Sequence, residues 1–84
     1  MEKMKIKLKL PKISMTMTEA TLVKWHKYPG DVFNDDDILY EIETEKIIDQ
    51  IIANFSGKML QHLCDENHEI DVGEEVSIVQ KNTS

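Results

Sequence analysis

The sequence predicts an all-β domain, a flattened barrel or sandwich of two four-stranded antiparallel sheets related by a pseudo-twofold axis. Three observations predict it. The apolar runs are short, regularly spaced, rich in β-branched residues and bounded by turn residues. Apolar residues nowhere recur at i, i+3, i+4 and i+7 over three turns, so no long helix is expected. The chain also matches itself when slid by 37 residues, without a gap over 23 positions. Ala20 then falls on Gly57, Leu22 on Met59, Val23 on Leu60, Trp25 on His62, Gly30 on Asn67, Phe33 on Ile70, Leu39 on Val76 and Ile42 on Val79. Either half alone would leave an apolar face in water, whereas two halves packed together cover one another.

In chain order, Met4 to Leu10 alternates apolar residues with lysines at period two, a half-buried strand whose lysines face water and guard an edge. Pro11 ends it by removing a backbone donor. Residues 12–18 (KISMTMT) form a connector with small hydroxyl residues and two methionines. Thr21 to Tyr28 is a strand, with Trp25 as the largest apolar body and a core anchor. Pro29-Gly30-Asp31 is a turn. Asn34-Asp35-Asp36-Asp37 reads as a solvated acidic turn, because the alternating ligands and closing glutamate of a calcium loop are missing. Ile38 to Ile42 and Ile47 to Ala53 are strands on either side of Lys46. After a turn at 54–57, Lys58 to Cys64 is a strand, Asp65 to Asn67 a turn and Val76 to Gln80 the last strand. Residues 1–80 make one domain, and 81–84 are a polar tail or the start of a linker.

Eighty-four residues suffice for one small domain that depends on tight packing. Cys64 stands alone, so no intrachain disulfide can form, and a reducing compartment is expected. No apolar run approaches membrane-spanning length and no secretory signal is visible. The net charge is −6, and all ten bases are lysine. Without arginine the chain lacks the bidentate fork used for phosphate and base-edge recognition, and its acidity repels nucleic acid and anionic lipid. The expected partners are proteins with basic patches.

The segment Glu41-Ile42-Glu43-Thr44-Glu45-Lys46-Ile47-Ile48 sets one lysine among acids between two strands, at the junction of the matched blocks. Glu45 and Lys46 are the central pair of a tight hairpin turn that lacks the Gly or Asn such turns usually carry, so the flanking strands must pin it. A lysine held out this way is an acyl acceptor: once amidated, its stem becomes the base of a flexible arm. Glu43, Thr44 and Glu45 mark the tip for an attaching enzyme.

These residues resemble the lipoyl domain family, over nearly the whole chain. Pro11 with Met15-Thr16-Met17-Thr18-Glu19 resembles the opening of lipoyl domains from dihydrolipoamide acyltransferases. Val23-Lys24-Trp25, Pro29-Gly30-Asp31-Val32 and Asp36-Asp37-Ile38-Leu39 follow the family's order. Glu43-Thr44-Glu45-Lys46 resembles the attachment motif, and Gly30 and Gly57 fall on two glycines of its pattern. The chain departs from the pattern at Ala20 and Asn67, where glycine is common, and at Glu45, where aspartate is usual. The resemblance implies a non-catalytic carrier in a 2-oxo acid or acetoin dehydrogenase complex, with lipoate bound covalently through an amide to Lys46. Its implied partners are a lipoyl ligase or lipoyltransferase, a thiamine-diphosphate dehydrogenase that acylates the arm, an acyltransferase core and dihydrolipoamide dehydrogenase. The loop containing Ser14, Met15, Thr16 and Met17 would help those partners recognise the domain. The implied location is the cytoplasm, or the mitochondrial matrix. A biotinyl carrier shares the fold, but its motif sets methionine on both sides of the lysine, where this chain has Glu45 and Ile47. A sandwich from a scaffold or membrane-fusion protein would lack the acidic lysine tip. His62, Cys64 and His68 do not complete a zinc set, and no metal is expected.

Overall fold

The computed structural model describes residues 3–45 and 47–82. Its strands are β1 (Lys3–Lys9), β2 (Glu19–Trp25), β3 (Val32–Phe33), β4 (Ile38–Glu43), β5 (Ile48–Ile52), β6 (Gly57–His62), β7 (His68–Asp71) and β8 (Glu75–Asn82). They form two four-stranded antiparallel sheets, ordered β1-β8-β6-β3 and β5-β4-β2-β7, which do not close into a barrel. There is no helix among the described residues. The expected fold class is therefore the observed one.

The two orders are the same order written for two halves: β1 stands where β5 stands, β8 where β4 does, β6 where β2 does and β3 where β7 does. The 37-residue repeat extends to individual hydrogen bonds. His26 N–H donates to the Leu39 carbonyl at 2.9 Å, and Leu63 N–H to Val76 at 2.9 Å. Gly30 N–H donates to Met59, and Asn67 N–H to Leu22. The Asn34 amide is capped by the Asp37 carboxylate, and the Asp71 amide by Glu74. Bulges interrupt β2 between Leu22 and Lys24 and β6 between Met59 and Gln61. The left-handed residues also come in pairs 37 apart, Gly30 (φ 98°) with Asn67 (69°) and Asp36 (75°) with Gly73 (88°). Asn and Asp are the non-glycine residues that tolerate this region best, so each half builds the same turn from a different residue.

The core is the matched apolar set. Leu22, Ile42, Met59 and Val79 are fully buried, with Phe33, Leu39, Ile70 and Val76 around them. At the junction of the halves the Trp25 indole stacks on the His62 ring, 3.7 Å between centroids and 8° from parallel. The twins bond alike as well. Trp25 Nε1–H donates to the Cys64 carbonyl at 3.1 Å, and His62 Nε2 lies 2.8 Å from the Lys27 carbonyl, which requires that nitrogen to carry a proton.

Three differences from the sequence reading have physical reasons. β3 and β7 are too short to show a period, and they are held as edge strands by pairing with β6 and β2. β2 stops at Trp25, because the amides of His26 and Lys27 both turn to the Leu39 carbonyl. β8 continues past Gln80, the end expected for the last strand: Lys81 pairs with Met4 and Asn82 with Lys3. Polar composition suggested a tail, but cross-strand pairing with β1 decides. The β8–β1 pair is the symmetry twin of the β4–β5 hairpin, which sets the Lys3–Asn82 pair and the Glu43–Ile48 pair on opposite sides of the axis.

Candidate functional site: the β4–β5 apex and its cleft

Strands β4 and β5 pair Glu41 with Gln50, Ile42 with Asp49 and Glu43 with Ile48. Ile42 is fully buried just below the apex, so a one-residue slip would bring a carboxylate into the core. Above the last pair, Thr44 N–H donates to the Ile47 carbonyl at 2.9 Å. Ile47 N–H donates to Thr44 Oγ1 at 3.3 Å, and that hydroxyl in turn lies 3.4 Å from the Ile47 carbonyl oxygen. Thr44 and Ile47 thus hold the two strands together above their last ladder pair. Lys46 itself lies outside the described residues. Of the tip residues around it, Glu43, Glu45 and Ile47 are exposed and Thr44 is half-buried.

Beside the apex lies a cleft of about 580 Å³. Its walls are the β1–β2 loop, through Ser14, Thr16 and Met17, the hairpin, through Thr44 and Ile47, and β7, through Glu69. The loop is there because the duplication is unequal. Leu10 and Ala53 make twin bonds, Leu10 N–H to Glu74 and Ala53 N–H to Asp37, yet lie 43 residues apart rather than 37. The first half therefore carries six extra residues between its first two strands, and they fold over beside the hairpin. The β7–β8 turn pins both ends of the loop: Gly73 N–H reaches the Leu10 carbonyl at 2.9 Å and Val72 N–H the Thr18 carbonyl at 3.0 Å.

The four loop residues expected to meet partners divide. Met15 is 92% exposed, whereas Met17 is 6% exposed, sits in the core cluster and anchors the loop. Ser14 and Thr16 are exposed along the cleft. Of the expected structural residues, Trp25 is buried at the junction, Gly30 makes the left-handed turn before β3, and Gly57 lies where β6 presses on its neighbours.

Charge is segregated between the sheets. The strands of β1-β8-β6-β3 hold six lysines (3, 5, 7, 9, 58 and 81) against the single acid Glu75. Those of β5-β4-β2-β7 hold six acids (19, 41, 43, 49, 69 and 71) against Lys24. The apex belongs to the acidic sheet, and Glu45 adds to it. Among the described residues, Lys7 is 4.0 Å from Glu75 and His26 contacts Glu41 directly; outside the strands, Lys27 is 3.6 Å from Asp37. Burial, with Glu74 and Asp65 nearby, pushes the half-buried Cys64 thiol above its ordinary pKa, which makes it a poor nucleophile. His62 is occupied by Trp25, and among the described residues no three His, Cys, Asp or Glu side chains gather as a metal set. The lysine tip and the loop are legible in the sequence; the far wall of the cleft at Glu69 is not. The signal that could have pointed to the cleft was the unequal spacing of the halves.

Residues 6–79 match the model of a biotin/lipoyl family described as biotin-requiring enzyme. Over 96% of its length the chain is 35% identical to the dihydrolipoyllysine-residue succinyltransferase component of the 2-oxoglutarate dehydrogenase complex of Rickettsia conorii. It is 40% identical over 90% of its length to the dihydrolipoyllysine-residue acetyltransferase component of the pyruvate dehydrogenase complex of Zymomonas mobilis. The chain spans about a fifth of the length of these relatives. Among solved structures it resembles the lipoyl domain of the 2-oxoglutarate dehydrogenase complex of Azotobacter vinelandii, with a TM-score of 0.72 and 26% identity over 88% of this chain and 94% of that one.

Proposed function

The chain belongs to the biotin/lipoyl attachment family as a lipoyl domain of the 2-oxo acid dehydrogenase acyltransferase type, and on that premise we propose that Lys46 carries lipoate in amide linkage. The observation that carries this reading is the clamp: Thr44 and Ile47 bond across the end of the β4–β5 hairpin, on either side of the two positions that the sequence gives to Glu45 and Lys46. The residues present fit the group. Glu43, Glu45 and Ile47 beside the position are exposed, and the acids Glu43 and Glu45 give an attaching ligase a charged landmark.

When bound, the lipoyl group supplies a dithiolane able to take up an acyl group together with two electrons. The domain's own residues contribute placement. The buried Ile42 fixes the register of the hairpin, the clamp fixes the turn, and the stiff double sheet holds the apex away from the chain ends. An arm mounted there moves between active sites at high effective concentration while the rest of the chain stays tethered. The domain itself has no catalytic residues in this reading. Its partners are a lipoyl ligase, a thiamine-diphosphate dehydrogenase, an acyltransferase core and dihydrolipoamide dehydrogenase, and the bacterial relatives favour the cytoplasm. Ser14, Met15 and Thr16 meet those partners, with Met17 holding the loop in place.

Intact mass after co-expression with a lipoyl ligase, and separately with a biotin ligase, tests the reading. A single lipoyl increment that disappears in Lys46→Arg is expected. A biotin increment, or a lipoyl increment that survives the substitution, refutes it.

A further inference from the structure

Thr44 is more than part of a charged landmark. We propose that its hydroxyl is a positioning group for the modification of Lys46: it clasps the turn from the side-chain side and so presents the amine to the ligase in one geometry. The inference rests on the carrier reading and deepens it.

The hairpin turn has an unusual problem. Two-residue turns between antiparallel strands favour Gly, Asn or Asp at the centre, because the strand twist calls for left-handed backbone there. This turn has Glu45 and Lys46. Glu45 is not among the left-handed residues, so the closure that a central Gly or Asn would ease falls to the flanks, Thr44 and Ile47. Three contacts join the flanks, and two run through one atom. Thr44 Oγ1 accepts the Ile47 N–H at 3.3 Å and is 3.4 Å from the Ile47 carbonyl, to which its own hydrogen can be directed. The main-chain bond from Thr44 N–H to the Ile47 carbonyl is 2.9 Å. A hydroxyl both accepts and donates, so it can hold both main-chain groups of Ile47 at once; no carboxylate or aliphatic side chain of similar size can. Thr44 is β-branched, which restricts its first torsion and keeps the oxygen over the turn. It is half-buried against the cleft, whereas Glu43, Glu45 and Ile47 around it are exposed.

Ligation makes this matter. Lys46 Nζ must attack a lipoyl carboxyl that the ligase holds as its adenylate. The amide C–N bond forms, AMP leaves, and the amine's proton passes to the ligase or to solvent. Small misplacements of a nucleophile cost rate steeply. A turn that samples several shapes would offer the amine correctly only part of the time, and the rate would fall by that fraction.

The test compares Thr44→Val, which keeps shape and branching but loses the hydroxyl, with Thr44→Ser, which keeps the hydroxyl. Two readouts are taken: amide hydrogen exchange of Ile47 in the unmodified domain, and steady-state ligation with purified lipoate–protein ligase, lipoate and ATP, followed by intact mass. In Thr44→Val, Ile47 exchange accelerates about five- to tenfold, the worth of one neutral hydrogen bond, while the thermal midpoint barely moves. Ligation falls by a similar factor, mainly in kcat, and Thr44→Ser restores both. Unchanged Ile47 exchange in Thr44→Val overturns the clasp. A loss confined to KM with exchange unchanged also overturns it, in favour of direct contact between Thr44 and the ligase. Exchange is read without any lipoyl group, so a wild-type domain that is never lipoylated overturns the carrier reading while the clasp is still judged on its own readout.

Discussion

Replacing Gly57 with alanine should be among the most damaging single-methyl changes available in this chain. A Cβ built at Gly57 falls 2.1 Å from the main-chain oxygen of Gln80, 3.0 Å from Phe33 Cζ and 3.2 Å from the Gln80 carbonyl carbon. The first of these is roughly 1 Å inside any tolerable carbon–oxygen contact, and its partner is backbone rather than a side chain that can swing away. The strain must then be met by parting β6 from β8 where Gly57 pairs with Lys81. Overpacking of a buried site costs about 1–3 kcal/mol, and weakening one ladder hydrogen bond adds about 1 kcal/mol. A loss near 3 kcal/mol would lower the thermal midpoint by about 12–24 °C, at about 4–8 °C per kcal/mol for a domain of this size. Urea and thermal unfolding of the wild type and of Gly57→Ala measure it, with an unchanged m-value showing that the native state alone has been strained. Gly30→Ala is the control, because Gly30 has φ 98° and nothing within 4 Å of its Cβ: it carries left-handed strain without a clash, about 1–2 kcal/mol. A Gly57→Ala cost below that of Gly30→Ala would refute the steric argument. The twin position, Ala20, already carries this methyl while buried, so the requirement belongs to one half only.

Three further outcomes follow from the same structure. Ser77 is fully buried and its hydroxyl finds no partner in the structure, so Ser77→Ala should be neutral or stabilising by up to about 1 kcal/mol in urea unfolding; a marked loss would mean that the hydroxyl is bonded after all. Cys64 has a folded-state pKa raised by burial and then by Glu74 and Asp65, so its contribution to stability is complete below the ordinary thiol pKa and is lost as pH rises through the folded value. Urea midpoints should therefore fall as pH rises past the ordinary thiol value, less so in Cys64→Ala, and an equal fall in that variant would remove Cys64 as the cause. The charge segregation predicts that Glu69→Lys, on the acidic sheet beside the cleft, slows ligation several-fold at low salt, whereas Lys58→Glu on the opposite sheet leaves it within about twofold; equal and opposite effects would show that only net charge matters.

The sequence by itself determined the fold class and the duplication. Both are written in local patterns of the chain: β-branched runs of strand length and a 37-residue self-match. The resemblance of the Pro11, Met15–Glu19 and Glu43–Lys46 segments supplied the family, which the comparisons then showed. Tertiary structure decided what depends on neighbours distant in sequence. It separated Met17, buried in the core, from Met15, exposed two residues away, although both stand in one polar connector. It extended β8 through Lys81 and Asn82, because β1 lies alongside and polar side chains pair as readily as apolar ones when their backbone groups have partners. It placed six lysines on one sheet and six acids on the other, an arrangement hidden in a net charge of −6, because a strand's sheet is set by pairing rather than by its place in the chain. Composition and period are local properties of the chain, whereas burial, register and charge distribution depend on which strands become neighbours.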